Sequence, residues 1–314
     1  MSQEARFLKM LQPLARNPAA RGFLDDTAVL ELDGTTLVIT HDMIAENVHF
    51  VPTDPPQDVA WKLVTVNLSD LAAKGTRPIG AMMGYSLQNE GDWDQQFVEG
   101  LRKALDAFGL ALLGGDTVSL PFNAPRCLGL TVFGVATGPV PSRTGARVGD
   151  HLWVTGSIGD AHAGLRIARG EREGPTQLLE RYRNPRPRME AGQRLVHIVT
   201  AMMDVSDGLL LDGSRMADAS GVRAVIELET VPLSDAYLQF AGDDRGARLS
   251  AMRAGDDYEL LFTASPDAAT GILALGEELG IPVSRIGRME EGSGLHLLDR
   301  GTDVPLPPNL GYEH

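Results

Sequence analysis

Six aspartates stand where strands or helices should begin or end, and they are the residues of this sequence best suited to chemistry. Asp26 precedes the apolar run Ala28-Val29-Leu30, and Asp42 closes Leu37-Val38-Ile39-Thr40-His41-Asp42. Asp70 lies in Asn67-Leu68-Ser69-Asp70, Asp116 follows Gly114-Gly115, and Asp204 and Asp207 frame Asp204-Val205-Ser206-Asp207-Gly208. Singly, an aspartate at an element end is ordinarily a cap or a turn former. As a group they make a demand. Two like charges about 4 Å apart repel by about 4 kcal/mol at an effective dielectric near 20, so six converging carboxylates need cations. Mg²⁺ takes carboxylates together with phosphate oxygens, so convergence would create a multi-Mg²⁺ phosphoryl-transfer site.

Other chemistries find no support. The sequence has no G-x-x-x-x-G-K-[ST] loop, no G-x-G-x-x-G after a strand, no H-R-D with D-F-G, no H-E-x-x-H and no G-x-S-x-G. Its four lysines (Lys9, Lys62, Lys74 and Lys103) make a Schiff base a poor reading. The 28 basic residues against 42 acidic ones give a net charge of −14, which argues against a nucleic-acid binder. Among the acids, 25 are Asp and 17 are Glu, a bias that suits turns and hard cations. The single cysteine, Cys127, excludes an intrachain disulfide and a thiolate zinc cluster. No run approaches the roughly 20 apolar residues of a membrane span, and the first residues lack a signal-peptide core. A cytoplasmic protein without membrane or nucleic-acid partners is expected.

The elements that must position the aspartates follow from periodicity. A helix is predicted over 2–16, then a hairpin of two short strands at 28–30 and 37–40 about the turn Asp33-Gly34. A long helix fits 58–74, with Trp61, Val64, Leu68 and Leu71 in a stripe and Gly75 closing it. On it, Asn67, Asp70 and Lys74 share a face. Strands at 79–87, 110–113 and 128–137 and a helix at 93–108 complete this half. Gly138 to Gly149, dense in Gly and Pro, reads as a linker between domains 1–138 and 139–314. Beyond it, strands fit 151–155, 201–205, 223–228, 258–264, 283–289 and 295–298, with helices at 158–169, 176–182, 188–200 and 209–219. The irregular alternation predicts mixed α/β (or α+β) with antiparallel pairing rather than a doubly wound parallel sheet.

Several segments together resemble the thiamine-monophosphate kinase family. They are Leu24-Asp25-Asp26-Thr27-Ala28-Val29-Leu30, Thr40-His41-Asp42, Val48-His49-Phe50 and Val66-Asn67-Leu68-Ser69-Asp70-Leu71-Ala72-Ala73-Lys74-Gly75. Gly114-Gly115-Asp116-Thr117, Ser142-Arg143-Thr144-Gly145-Ala146, Asp204-Val205-Ser206-Asp207-Gly208-Leu209, Gly255-Asp256-Asp257-Tyr258-Glu259-Leu260 and Gly311-Tyr312-Glu313-His314 continue the match in order. The resemblance implies the fold shared with aminoimidazole ribonucleotide synthetase and selenophosphate synthetase. In it the N-terminal half, which binds ATP and Mg²⁺, pairs into a β-barrel across a homodimer with flanking helices. The C-terminal half is an α/β sandwich with a mixed sheet that completes the active site. It also implies transfer of the ATP γ-phosphate to thiamine monophosphate, giving thiamine diphosphate, with several Mg²⁺ ions.

By matching position, Asp26, Thr40, Asp42, Asp70, Asp116, Asp204 and Asp207 become metal ligands. Gly115, Asp116, Arg143 and Ser206 become nucleotide contacts, and His49, Asp256 and Asn309 the substrate side. His41 stands where the family commonly has Ser or Thr, Asp256 replaces a Glu, and Asn309 with Leu310 replaces an aromatic stretch. The acceptor is itself a phosphate with a second pKa of about 6, so no side-chain base is required. Two rival readings stay open: another ATP-using synthetase of the same superfamily, and a Mg²⁺–nucleotide binding module without catalysis.

Overall fold

The computed structural model describes residues 3–88, 91–121 and 124–313. It opens with α1 (Gln3–Leu11), shorter than the periodicity predicts because Pro13 and Pro18 divert the chain into short 3₁₀ turns. Ser2 lies outside the described residues. The hairpin forms as expected about Asp33-Gly34, from β1 (Ala28–Leu32) and β2 (Thr35–Ala45). Next come α2 (Pro56–Ala73), β3 (Thr76–Leu87), α3 (Gly91–Phe108), β4 (Leu112–Ser119) and β5 (Cys127–Ala136). Their strands make one open sheet in the order β1-β2-β5-β3-β4.

α2 is the axis of this half. Pro56 suits its first turn, and Gly75, at φ +60°, supplies the left-handed residue that ends it. Nearly every residue from Val59 to Ala73 is buried, so α2 is a core helix rather than an amphipathic surface helix. Val64, Leu68 and Leu71 pack with Val38, Ile44, Leu128, Leu130 and Val132 of the sheet and with Phe97 and Leu101 of α3. Strand side chains alternate between faces, so Thr40, Asp42 and Ile44 face α2 while His41 and Met43 face away. No helix covers that second face among the described residues. Met43 and Met82 are 52% and 47% exposed there, and the strands of the described residues form an open sheet rather than a closed barrel.

The second half contains β6 (His151–Thr155), α4 (Asp160–Ala168), α5 (Thr176–Arg183), α6 (Met189–Leu195), β7 (Ala201–Asp204), α7 (Leu209–Ser220) and β8 (Arg223–Glu227). It continues with α8 (Asp235–Ala241), α9 (Arg245–Met252), β9 (Leu260–Ala264), α10 (Ala269–Leu279), β10 (Val283–Glu290), β11 (Gly294–Asp299) and β12 (Thr302–Val304). The strands order as β12-β11-β8-β10-β6-β9-β7, antiparallel except for β11 against β8. The expected mixed sheet is therefore present, and α8, α9 and α10 are additions that the sequence pattern missed.

Ala72 and Ala73 at the end of α2 pack with Trp153, Leu195, Met202, Leu260 and Phe262, forming an apolar layer between the halves. The approach is close: a side chain at Gly192 of α6 would strike the Ala72 carbonyl. Among the described residues no helix is long and apolar enough to cross a membrane.

Candidate active site

Because α2 sits between the first sheet and the second half, its polar residues reach both. Thr40 Oγ1 donates to Asp70 Oδ2 from β2, and Ser69 Oγ donates to Asp204 Oδ2, at the end of β7, at 2.6 Å. Asn67 Oδ1 accepts from the Asp42 backbone N–H at 2.9 Å, and Asn67 Nδ2 donates to the Leu63 carbonyl at 3.0 Å. Asn67, Ser69 and Asp70, within one turn of a buried helix, thus fix two other aspartate-bearing segments, β2 and the end of β7. Each of Asp26, Asp70 and Asp204 presents an oxygen within 4.8 Å of the others'.

These carboxylates are electrostatically crowded. Burial, then the charges of Asp42, Asp204 and Asp26, push the Asp70 carboxyl well above the usual range, against the Thr40 bond. Burial and then Asp26 push Asp204 up to about 8 despite the Ser69 hydroxyl. Burial, Asp26 and Asp207 push Asp42 up to about 6. Among the described residues, cations pair with Asp25, Asp26, Asp207 and Asp212 but not with Asp42, Asp70 or Asp204. Arg143 pairs with Asp26, and Lys74 pairs with Asp25 at 2.5 Å and Asp26 at 3.9 Å. Arg215 pairs with Asp207 and, at 3.1 Å, with Asp212. Burial opposes the Arg143 charge, but Asp26, Asp212, Asp25 and Asp204 outweigh it and raise its pKa.

Asp26, Asp42, Asp70 and Asp207 line a cleft of about 1210 Å³ together with Arg143, Ser206, His49, Asp256 and Tyr312. Its other end is built differently. Lys62, 2% exposed, donates to the His49 carbonyl at 2.9 Å and to Asp256 Oδ2 at 2.7 Å, while Tyr258 donates to Asp256 Oδ1 at 3.0 Å. The Ala45 N–H donates to His49 Nδ1 at 3.0 Å, so the imidazole proton resides on Nε2. Asp256 and Tyr258 take φ of +74° and +52°, and the turn is pinned by Asp256 N–H to Ser206 O and Tyr258 N–H to Val205 O, both 2.8 Å.

Three sequence assignments fall elsewhere in the chain. Gly115 and Asp116 are mid-strand residues of exposed β4, not the end of a strand stopping at 113. Asp116 pairs with Gly84 on the far edge of the sheet, three strand spacings or about 14 Å from β2. Asn309 is exposed and its Oδ1 caps the Gly311 N–H at 3.0 Å, whereas Tyr312 and Glu313 line the cleft. His314, which ends that motif, lies outside the described residues. His41 bonds Thr131 Oγ1 through Nδ1 at 2.9 Å on the uncovered sheet face, away from the aspartates.

The sequence reading also passed over Ser69, Lys62, Asp212 and Arg215. Asp212 is fully buried, and its Oδ2 accepts from the Asp207 N–H at 3.1 Å. Burial and Asp207 push its carboxyl up to about 7. Its place in the first turn of α7 was the available signal, masked by its resemblance to an ordinary helix-start acid.

Comparison with known proteins agrees with the architecture. Residues 24–140 match the AIR synthase related protein N-terminal domain and residues 147–300 its C-terminal domain. Thiamine-monophosphate kinase of Caulobacter vibrioides is 38% identical over 315 residues, covering 98% of this chain and 89% of that protein. That of Escherichia coli K12 is 36% identical over 303 residues, covering 93% and 91%. The structure of AaThiL complexed with AMPPCP and TMP superposes with a TM-score of 0.83 at 28% identity, covering 98% of this chain and 96% of that one. The thiamine-monophosphate kinase from Stenotrophomonas maltophilia K279a gives 0.78 at 34% identity, covering 95% and 96%.

Proposed function

The chain belongs to the thiamine-monophosphate kinase family, and from that premise we propose that its cleft transfers the ATP γ-phosphoryl group to thiamine monophosphate, giving thiamine diphosphate and ADP. The observation that carries this reading is the convergence of Asp26 and Asp70 with the buried Asp204, in a cleft that Asp26, Asp42, Asp70 and Asp207 line together with a second, cation-paired acid, Asp256. Asp42, Asp70 and Asp204, whose protons are held first by burial and then by the neighbouring carboxylates, are a donor set suited to hard cations.

Asp26, Asp42, Asp70, Asp204 and Asp207, with the Thr40 hydroxyl behind Asp70, would hold Mg²⁺. Bound there, the ions would neutralise charge on the two phosphates that must meet. The chain's own part is alignment. Arg143 offers a planar fork to phosphate oxygens, and Ser206, ahead of α7, borders the nucleotide. His49 and Asp256 face the organic end of the acceptor, with Tyr312 rather than Asn309 beside them. No side chain need remove a proton, because the acceptor phosphate is largely dianionic at neutral pH.

A second copy of the chain is part of this reading. The sheet face opposite α2 exposes Met43 and Met82, and edge strand β4 exposes Leu112, Leu113 and Val118 at 45%, 62% and 52%. An unpaired apolar edge and face of this kind call for a partner, and two such sheets face to face would close a barrel. Gly115 and Asp116 enter the proposal only through such a pair, since within one chain they lie across the sheet from Asp42. The division at residues 138/139 belongs to the same reading, as does a cytoplasmic setting, which the lone Cys127 suits.

Incubation with ATP, thiamine monophosphate and Mg²⁺, followed by chromatography, should yield thiamine diphosphate and ADP in equal amounts. ADP without the diphosphate would favour a different synthetase of the superfamily. No turnover with Mg²⁺-dependent ATP binding would leave a binding module.

A further inference from the structure

Lys62 is a buried lysine that the phosphoryl-transfer scheme does not use. Its ammonium is enclosed: the His49 carbonyl at 2.9 Å, Asp256 Oδ2 at 2.7 Å and the Tyr182 ring, whose centroid is 4.3 Å away, take its three donor directions. Tyr182 is in turn fixed by its hydroxyl to Asp54 Oδ2 at 2.8 Å. A charge so far from water persists only where its partners are fixed as well.

We propose that Lys62 is a positioning residue for the acceptor: it locks His49 and Asp256 into one unit and ties that unit to the helix carrying Asp70. The inference rests on the kinase reading above. Three observations support it. First, Asp256 and Tyr258 both sit in left-handed backbone conformations, which persist only when surrounding contacts over-determine them. Lys62 and the Tyr258 hydroxyl occupy one Asp256 oxygen each, so the carboxylate cannot rotate, and its remaining lone pairs serve the cleft. Second, the same ammonium holds the backbone of His49, whose ring tautomer is set by the Ala45 N–H, so both acceptor-side residues depend on one cation. Third, Lys62 and Asp70 are eight residues apart on one rigid helix, about 12 Å along its axis. The organic end of the acceptor is thereby held at a constant separation from the carboxylates that serve its phosphate.

The test is steady-state kinetics on Lys62→Met and Lys62→Gln. The KM for thiamine monophosphate should rise about tenfold in each, with the KM for ATP within twofold of the wild type and a smaller fall in kcat. A general loosening of the fold would raise both KM values. A double-mutant cycle with Asp256→Asn separates the roles further. If Lys62 acts through Asp256, the double variant's acceptor KM should not exceed that of the worse single variant by more than about twofold. Multiplying effects, or an acceptor KM within twofold of wild type in the single variants, would overturn the proposal. Should Lys62→Met fail to fold, Lys62→Gln alone decides. If the wild type forms no diphosphate, the kinase reading fails. Calorimetric titration of thiamine monophosphate into wild type and Lys62→Gln then judges Lys62 separately, equal affinities counting against it.

Discussion

At the phosphate end of the cleft, Asp42, Asp70 and Asp204 face one another with no pairing cation among the described residues, whereas at the other end the Asp256 carboxylate has a donor on each oxygen. Both ends are built on α2. Near its start the helix supplies a lysine; two turns later it supplies a serine and an aspartate. The acceptor end is therefore complete in the protein alone and should change little on binding. On the proposed reading, the phosphate end takes up cations that arrive with the substrates, and its carboxylates stay crowded until those cations come.

The largest expected effect is at Asp70. Burial, and then repulsion by Asp42, Asp204 and Asp26, favours its protonated form in the metal-free protein, and an asparagine side chain mimics that form in size and in its bond to Thr40. Asp70→Asn should therefore lower kcat by about a thousandfold or more, the scale on which preorganised electrostatic groups act, while the melting temperature stays level or rises. Calorimetry beside the kinetic assay measures both. A large fall in melting temperature with activity retained would make the two ends of the cleft alike.

The contrast also sets a pH dependence. A carboxyl whose folded pKa lies above its unfolded value keeps a proton that the unfolded chain has already lost, so stability declines as pH rises between the two. With Asp42 at about 6 and Asp204 at about 8, metal-free protein should lose stability from about pH 4 to about pH 8. The melting temperature should fall by about 5 °C between pH 5 and pH 8. Mg²⁺ with a nucleotide should recover more at pH 8 than at pH 5, because fewer protons need displacing there. A melting temperature that rises over this interval without metal would remove the crowding argument.

Much of the phosphate end was legible because Asp26, Asp204 and Asp207 stand at element ends; Asp42, expected to close its strand, lies inside β2, which stays paired with β5 as far as Ala45. Asp70, with Asn67, is placed by a helix whose stripe and closing Gly75 are plain in the sequence. Asp116 was misplaced: Gly114-Gly115 reads as a turn, but parallel pairing with β3 keeps those residues extended within β4. The acceptor end was hidden for another reason. Lys62 and Asp256 are 194 residues apart, and no periodicity announces an ion pair across that separation. Ser69 was hidden by its neighbour, since a serine on a helix beside an aspartate carries no signal of its own until Asp204 arrives from β7.

Ser69 gives a smaller and more local test. Its hydroxyl orients Asp204 without contributing a charge, so Ser69→Ala should leave the fold intact and leave the buried Asp204 oxygen without its donor. Partners of this outer kind typically cost metal affinity 10- to 100-fold, and an increase of about tenfold in the Mg²⁺ needed for half-maximal activity is expected. The KM for thiamine monophosphate at saturating Mg²⁺ should not move. If it rises as much as in the Lys62 variants, the two ends of the cleft are coupled more tightly than α2 alone explains.

The smallest effect is expected where sequence comparison would look for a large one. His41 lies between two candidate ligands, Thr40 and Asp42, and replaces a hydroxyl residue common in the family. Strand alternation decides otherwise: Thr40 and Asp42 face α2, so His41 faces the opposite side, where its Nδ1 meets Thr131 Oγ1 at 2.9 Å. His41→Ser should therefore leave kcat, both KM values and the Mg²⁺ requirement within about twofold of wild type, the scatter of an exposed substitution. If it alters anything, it should alter self-association, because His41 shares the uncovered face with Met43. Analytical ultracentrifugation alongside the Mg²⁺ titration distinguishes the two. A changed Mg²⁺ requirement with unchanged association would place the imidazole on the aspartate side of β2, which the register with β5 forbids.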